Sequence, residues 1–181
     1  MADGSPAEVV SFWRGAGPDK WFEADEDFDR TIRARFLSAH EAAARGDLAA
    51  WEDSAEGALA LLILLDQFSR NMFRNSARAF ATDHLARAAA DRALARGFDQ
   101  AVDGMMRPFF YLPFMHSELL ADQDRCVRLH EALGDADRLH WAKLHRDIVE
   151  KFGRFPHRNH PLGRATTPDE QEFLDGGGFS G

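Results

Sequence analysis

The sequence has 181 residues, 45% of them hydrophobic and 29% charged, and its net charge at pH 7 is −8. This length suits one domain with a buried core, and the composition excludes a disordered chain. The acidic balance disfavours nucleic acid as a partner, because nucleic-acid phosphates attract basic proteins. A membrane is not expected either, since the longest apolar run, residues 58–65, is far shorter than the roughly 20 residues of a span.

Apolar residues recur at helical spacing along most of the chain. The predicted helices span residues 5–15, 25–45, 56–72, 82–96, 114–133, 135 or 137 to 152, and a short helix from Thr167 that ends before Gly176. Ser5 followed by Pro6 is typical of a helix start, and Thr167 to Glu170 has the pattern of a capping box.

The segment from Glu56 to Met72 is hydrophobic nearly all round, which predicts a central helix. No run of β-branched alternation occurs, so the predicted fold class is all-α. We expect a single multi-helix domain over residues 1–181, with an irregular loop rich in His and Arg at 153–166 and a Gly-rich C-terminal tail.

The single cysteine, Cys126, cannot form an internal disulfide and favours a reducing compartment. Its mid-helix position on a partly apolar face indicates a core residue rather than a nucleophile. The N-terminal residues lack the basic and apolar regions of a signal peptide. We therefore expect a cytoplasmic protein.

Several motifs carry a family resemblance. They are Leu65–Asn71, Arg78–Asp83, Phe109–Glu118, Gly153–Asn159 and Leu174–Gly181. In their order and spacing the chain resembles the bacterial and plant family called domain of unknown function 924, and the match covers nearly the whole chain. The resemblance implies helices like those of tetratricopeptide-like folds and a probable site, but no reaction. Ser69 stands where the resemblance leads us to expect proline, which puts a sharp helix end there in doubt.

Basic residues are unevenly distributed along this acidic chain. The windows 67–82, 104–117 and 151–168 together hold eight Lys and Arg and no Asp or Glu.

 The windows therefore carry +8, and the rest of the chain carries −16. If the windows meet in space, they form a positive site that favours a small anion over a long polyanion. The alternative is that long Arg side chains merely cap helix ends.

Histidines are the first candidates for chemistry. His145 shares a helix face with Trp141, Ile148 and Phe152, so it is predicted to point inward, either as a hydrogen-bonded core residue or as a general acid/base. His116 is predicted in the first turn of the 114–133 helix, where it faces partly inward. No metal site is predicted, because neither histidine has the paired motif of a metal-binding bundle.

Arg70 and Asp66 are four residues apart on the predicted central helix, so they can pair along one face. The pair is either a structural ion pair or a site in which Arg70, with Asn71 beside it, holds an anion that Asp66 orients. Asp66 is thus a third catalytic candidate, after His145 and His116.

The loop from Arg154 to His160 is the strongest functional signal, because loops that display fixed polar groups often carry function. Arginine forks match phosphate and carboxylate geometry. The candidate ligand-binding residues here are Arg154, His157, Arg158 and Asn159. The alternative is a structural clasp that binds helix ends and anchors the C-terminal tail.

Two functions follow from these patterns. The first is a binding or enzymatic site for a small anionic molecule. In it Phe109, Phe110 and Tyr111 form an apolar wall, and His145 or His157 adds positive charge as the pH falls below about 6.5. The second is a helical module that binds a protein or peptide, by analogy with tetratricopeptide-like folds. The sequence identifies no cofactor, reaction or oligomeric state.

Overall fold

The computed structural model describes residues 4–179, and all regular secondary structure within them is helical, as predicted. The α-helices are α1 (Pro6–Ala16), α2 (Pro18–Trp21), α3 (Glu26–Ala44), α4 (Ala55–Leu62), α5 (Ser69–Met72), α6 (Asp83–Ala95), α7 (Leu112–Met115), α8 (Leu120–Leu133), α9 (Ala136–Phe152) and α10 (Pro168–Asp175). A π-helical segment spans Ile63–Phe68, and 3₁₀ turns span Ala49–Asp53, Ala77–Phe80, Phe98–Ala101, Arg107–Phe110 and Pro156–Arg158. No helix in this part of the chain combines the length and apolar character needed to cross a bilayer.

The predicted helix starts at Ser5 and Thr167 are confirmed in atomic detail. Ser5 accepts a hydrogen bond from the Glu8 backbone at 3.3 Å and donates its own backbone N–H to the Glu8 carboxylate at 2.7 Å. Thr167 and Glu170 form the same reciprocal pair at the start of α10. Gly153 ends α9 with φ of 70°, a left-handed conformation that favours glycine.

The predicted central helix is present but not uniform. The chain is helical from Ala55 to Met72, and its middle, Ile63–Phe68, widens into a π-helical segment. Side-chain hydroxyl groups bind a backbone carbonyl in this segment. The Leu65 carbonyl oxygen accepts hydrogen bonds from Ser69 Oγ at 2.9 Å and from Thr82 Oγ1 at 2.6 Å. Ser69 therefore continues the helix, and no sharp end occurs at this position.

Residue contacts divide the described chain into two compact units, the first containing residues 4–74 and 78–113 and the second containing 75–77 and 114–179. A single domain over residues 1–181 stays a prediction, and its ends, 1–3 and 180–181, lie outside the described residues. The first unit has an aromatic core in which Phe68 packs 5.5 Å from Trp13 and 4.9 Å from Phe36.

The second unit is built on α8 and α9, which pack against each other. Ile148 and Val149 of α9 form its buried core together with Phe155, which follows the helix. The partly buried side chains around this core are Leu144, Phe152, Phe173 and Phe179. The core thus joins α9 to the loop, to α10 and to the tail.

The prediction of one continuous helix over residues 114–133 is wrong. The chain is not helical between Met115 and Leu120, so His116 lies in a break and not in the first turn of a helix. Gln123 holds the break, because its Nε2 donates to the carbonyl oxygens of Met115 and Ser117 at 2.6 Å each. Such a bridge competes with regular helix and leaves no periodic signal in the sequence.

Leu62→Ala should lower the free energy of unfolding by about 2–5 kcal/mol, because Leu62 is 1% exposed and its truncation leaves a cavity. Leu119→Ala is the matched control, since that side chain is 56% exposed and should lose no more than about 0.5 kcal/mol. Urea unfolding followed by circular dichroism measures both. Equal losses in the two variants would contradict the assigned core.

Candidate functional site

The residues predicted for the site fall into two groups, one in each unit. The first unit contains Asp66, Arg70, Asn71 and Tyr111, and the second contains His116, His145, Arg154, His157, Arg158 and Asn159. Convergence of the two groups on one site stays a prediction, and each group is described by itself.

Arg70 forms the predicted ion pair and a second one. Its Nη1 lies 3.1 Å from Asp66 Oδ1, and its two terminal nitrogens each lie 3.0 Å from an Asp83 carboxylate oxygen. Burial alone would lower the pKa of Arg70, but the two carboxylates raise it, so the guanidinium stays charged. A ligand anion at Arg70 would have to compete with Asp83 for the two terminal nitrogens of the guanidinium.

Asn71 and Tyr111 are engaged with other acids of the first unit. Asn71 donates to Asp29 at 2.7 Å, and the Tyr111 hydroxyl donates to Asp99 at 2.8 Å. Burial and the hydrogen bond to Asp99 raise the pKa of Tyr111, so its phenol stays protonated at neutral pH.

The predicted apolar wall of Phe109, Phe110 and Tyr111 is instead part of the first unit's core. All three side chains are at most 3% exposed, and the Phe109 ring packs 4.9 Å from Trp21 and 5.8 Å from Trp13. The sequence could not distinguish a wall from a core, because both require the same aromatic residues.

In the second unit, Arg154 and Asn159 form a structural clasp on α10. Arg154 binds the Glu170 carboxylate through two nitrogens, at 2.6 and 2.8 Å, and donates to the Ala165 carbonyl at 2.8 Å. Asn159 donates to the same carboxylate at 3.1 Å. These bonds, above all those from Arg154, lower the pKa of Glu170 from 4.5 to about 2. For these two side chains, the structure shows the alternative in which the loop is a structural clasp.

A second ion pair fixes the loop from its other side. Arg164 binds Glu118 through two nitrogens at 2.7 and 3.0 Å, and Glu118 also accepts from the Phe155 backbone at 2.8 Å. Although burial opposes it, these bonds and the charges of Arg164 and Arg158 lower the pKa of Glu118. Sequence reasoning missed this pair, since its partners are 46 residues apart.

Of the remaining predicted residues of the second unit, three gather around the ring of Phe155, which is fully buried. The rings of His145 and His157 each lie 5.6 Å from it, and the Arg158 guanidinium lies 4.6 Å from its centre. The His116 ring is 6.4 Å from that of His145. We call His116, His145 and His157 the imidazole cluster.

His145 points inward as predicted, with 6% exposure, and its hydrogen bond determines its tautomer. Nδ1 lies 2.8 Å from the Trp141 carbonyl oxygen, which can only accept. Neutral His145 therefore carries its proton on Nδ1, and Nε2 is the basic atom. The inward position predicted for Trp141 is wrong: its side chain is 48% exposed, because the rings of His140 and Phe179 cover only part of it.

Cys126 is a core residue, as predicted. It is fully buried, and burial raises the pKa of its thiol to about 12, so it is protonated at neutral pH. His130 binds the Cys126 carbonyl through Nδ1 at 3.0 Å, a buried histidine that sequence reasoning did not find. Within residues 4–179, no group of three or more His, Cys, Asp and Glu could hold a metal ion.

A surface cleft of ≈ 210 Å³ lies in the first unit. Its lining residues are Val10, Arg14, Ala55, Glu56, Leu59, Ala101, Val102 and Asp103. None of the residues predicted from the sequence lines it, and the ion pair of Arg14 and Asp103 at its edge is about half exposed. Exposed pairs of this kind are weak, so the cleft offers no fixed polar group for a ligand.

Together these features define an all-helical protein with a histidine-rich and arginine-rich loop in its second unit. The chain belongs to the family of bacterial proteins of unknown function called DUF924, whose profile matches residues 9–178. The resemblance predicted from the motifs is thereby confirmed. No curated protein matches the chain.

A solved structure has the same fold. The protein of unknown function ATU0120 from Agrobacterium tumefaciens is 54% identical in sequence and superposes with a TM-score of 0.92. The alignment covers 94% of this chain and 97% of that chain.

Glu170→Gln should destabilise the protein at pH 7 by about 1.5–3 kcal/mol, the value of hydrogen bonds to a charged group. A carboxylate whose pKa is lowered on folding stabilises above its unfolded value of 4.5, and this contribution is lost as the pH falls from 4.5 to about 2. The difference between variant and wild type should therefore shrink over that range.

Urea unfolding at pH 7, 4 and 2.5 measures this difference. Glu172→Gln is the control, since Glu172 is an exposed residue of the same helix and should have little effect at any of these pH values. A difference for Glu170→Gln that does not change with pH would contradict the clasp.

Proposed function

We propose that the second unit binds a small anion at the imidazole cluster, next to Arg158. The observation that carries the proposal is the placement of two imidazole rings and one guanidinium around the buried ring of Phe155, with the third imidazole, that of His116, 6.4 Å from the ring of His145. A core has no need of such groups, because each polar atom in it requires a hydrogen-bond partner to offset its desolvation.

Charge supports the choice of an anion. The loop places three guanidinium groups, those of Arg154, Arg158 and Arg164, against the two carboxylates Glu118 and Glu170. Arg154 and Arg164 each form a bidentate pair with one carboxylate, and the charge of Arg158 acts on Glu118 as well. A bound anion beside Arg158 would interact with its guanidinium in a partly buried setting, where electrostatic attraction is stronger than in water.

His145 gives the site a capacity for proton transfer. Because its Nδ1 is bound to the Trp141 carbonyl, Nε2 is the atom that would donate to an anion when protonated and accept a proton when neutral. His116 is the second acid–base candidate, 6.4 Å away between ring centres. Proton transfer to a bound ligand is therefore the first chemistry to test.

The other predicted site residues take supporting roles in this proposal. Arg154 and Asn159 hold α10, while Asp66, Arg70 and Asn71 belong to the ion-pair network of the first unit. A reducing compartment such as the cytoplasm fits the buried free thiol of Cys126.

The alternative function is a helical module that binds a protein or peptide. It draws support from three large apolar side chains of the second unit that are 39–56% exposed, namely Leu119, Leu120 and Trp141. Exposed apolar residues are common on soluble proteins, so this observation weighs less than the imidazole cluster.

Arg158→Ala should weaken the binding of phosphate or sulfate by about 1.5–3 kcal/mol, the value of a hydrogen bond between charged groups. Isothermal titration calorimetry with phosphate, sulfate and acetate at low salt measures the affinities, which should fall as salt is added. Arg128→Ala is the control, because Arg128 is an exposed arginine of α8 in the same unit and should leave the affinity unchanged.

Arg158 is 6% exposed, so its loss could also disturb the loop. Circular dichroism checks the fold, and the pair His157→Asn and His160→Asn gives an independent test, since both histidines lie in one loop and His160 is exposed. Only His157→Asn should weaken binding. If the wild type binds none of the three anions, the proposal is wrong and the interaction module becomes the leading function.

A further inference from the structure

The chain after α10 is built to turn back sharply. Three glycines follow Asp175, and Gly177 adopts a left-handed φ of 79°. A Cβ on Gly178 would lie 2.6 Å from both the ring and the carbonyl oxygen of Phe173, so only glycine fits there. This glycine tether, residues 176–178, leads directly to Phe179.

Phe179 lies against the imidazole cluster. Its ring is 4.5 Å from that of His145 and 5.3 Å from that of His157, the latter nearly perpendicular at 82°. The Trp141 ring lies 6.3 Å from the Phe179 ring, measured between ring centres. Phe179 itself remains partly exposed, so it is a cover at the edge of the cluster and not part of the deep core.

The tether is hydrogen-bonded to α10, because the backbone N–H groups of Gly176, Gly177 and Gly178 donate to the carbonyl oxygens of Glu172, Leu174 and Phe173 at 2.9, 3.2 and 2.9 Å. Glycine loses more backbone freedom on ordering than any other residue, and these bonds offset that cost for the turn but not for Phe179, which follows the last of them. The preceding helix is held by the bidentate bond between Arg154 and Glu170, and the turn is held by its backbone bonds, so movement at this end would be confined to Phe179. Phe179 can therefore leave while the loop and α10 stay in place.

We infer that Phe179 occupies a subsite for a flat aromatic group, and that the anion of this site carries such a group, as an aryl phosphate or aryl carboxylate does. This inference rests on the proposed function. A ligand ring that replaced Phe179 would regain the contacts with His145, His157 and Trp141, while its anionic group would lie near Arg158. Phe179 then acts as an internal competitor that closes the subsite in the free protein.

The test compares phenyl phosphate, methyl phosphate and inorganic phosphate by calorimetry, on the full-length wild type and on Phe179→Ala. The wild type should bind phenyl phosphate more tightly than methyl phosphate. Removing the competitor should tighten phenyl phosphate binding by roughly five- to tenfold, the gain when a site that is mostly closed becomes fully open. Inorganic phosphate should bind both proteins alike. Phe22→Ala is the control, since that ring is 71% exposed in the first unit.

A second measurement needs no ligand. Diethyl pyrocarbonate modifies accessible imidazoles, and peptide mass spectrometry reports the rate at each histidine. Phe179→Ala should speed the modification of His145 and His157 several-fold and leave exposed His160 unchanged. Unchanged rates at both cluster histidines would show that Phe179 is not a cover and would overturn the inference.

The two proposals can fail separately. If phosphate binds but phenyl phosphate binds no more tightly than methyl phosphate to either protein, the aromatic subsite is wrong and the anion site stands. The same holds if Phe179→Ala only lowers stability and leaves the ratio of the affinities unchanged. If neither protein binds any of the three compounds, the proposed function fails and the ligand class fails with it.

Discussion

The position of Phe155 is the constraint on which the candidate site depends. Its backbone N–H is held by Glu118 and its carbonyl by Arg164, and these two side chains are themselves bound to each other. Both polar groups of one residue are thus fixed by one ion pair, while its ring is fully buried. Because His145, His157 and Arg158 all contact that ring, the pair places the cluster although neither of its members belongs to it. Positioning of this kind from a second layer is common where a site must be held rigid.

The sequence predicts the helices and their caps well, because periodicity and capping are local properties. Ser5 and Thr167 begin helices where expected, and His145 is buried on the expected face. The break at His116 and the π-helical segment were not predictable, since they depend on side chains such as Gln123 and Thr82 that bind carbonyls outside their own turn. The local sequence pattern thus predicts the helices, whereas hydrogen bonds to residues outside the local turn determine where the helices are interrupted.

The three windows without Asp or Glu show that the pairing of charged residues is likewise not predictable from local sequence. Arg70, Arg74 and Arg154 each stand in a window without acids, yet each binds a carboxylate from another part of its own unit: Asp83, Asp29 and Glu170. A count along the sequence finds the basic residues but not their partners. The guanidinium groups that look most available in the sequence are therefore largely committed to structure, and what distinguishes Arg158 is its place against Phe155 beside the imidazoles.

The two ion pairs also determine how a change of anion affinity with pH is to be interpreted. Glu170 has its pKa lowered to about 2, and that of Glu118 is lowered as well, so both carboxylates stay ionised throughout the range in which histidines ordinarily titrate, near pH 6.5. The clasp and the hydrogen bonds that hold Phe155 therefore keep their charge state between about pH 5 and 8. Any change in anion affinity over that interval has to come from the ligand or from imidazoles and not from loss of the loop, which makes a ligand of constant charge the right probe of the cluster.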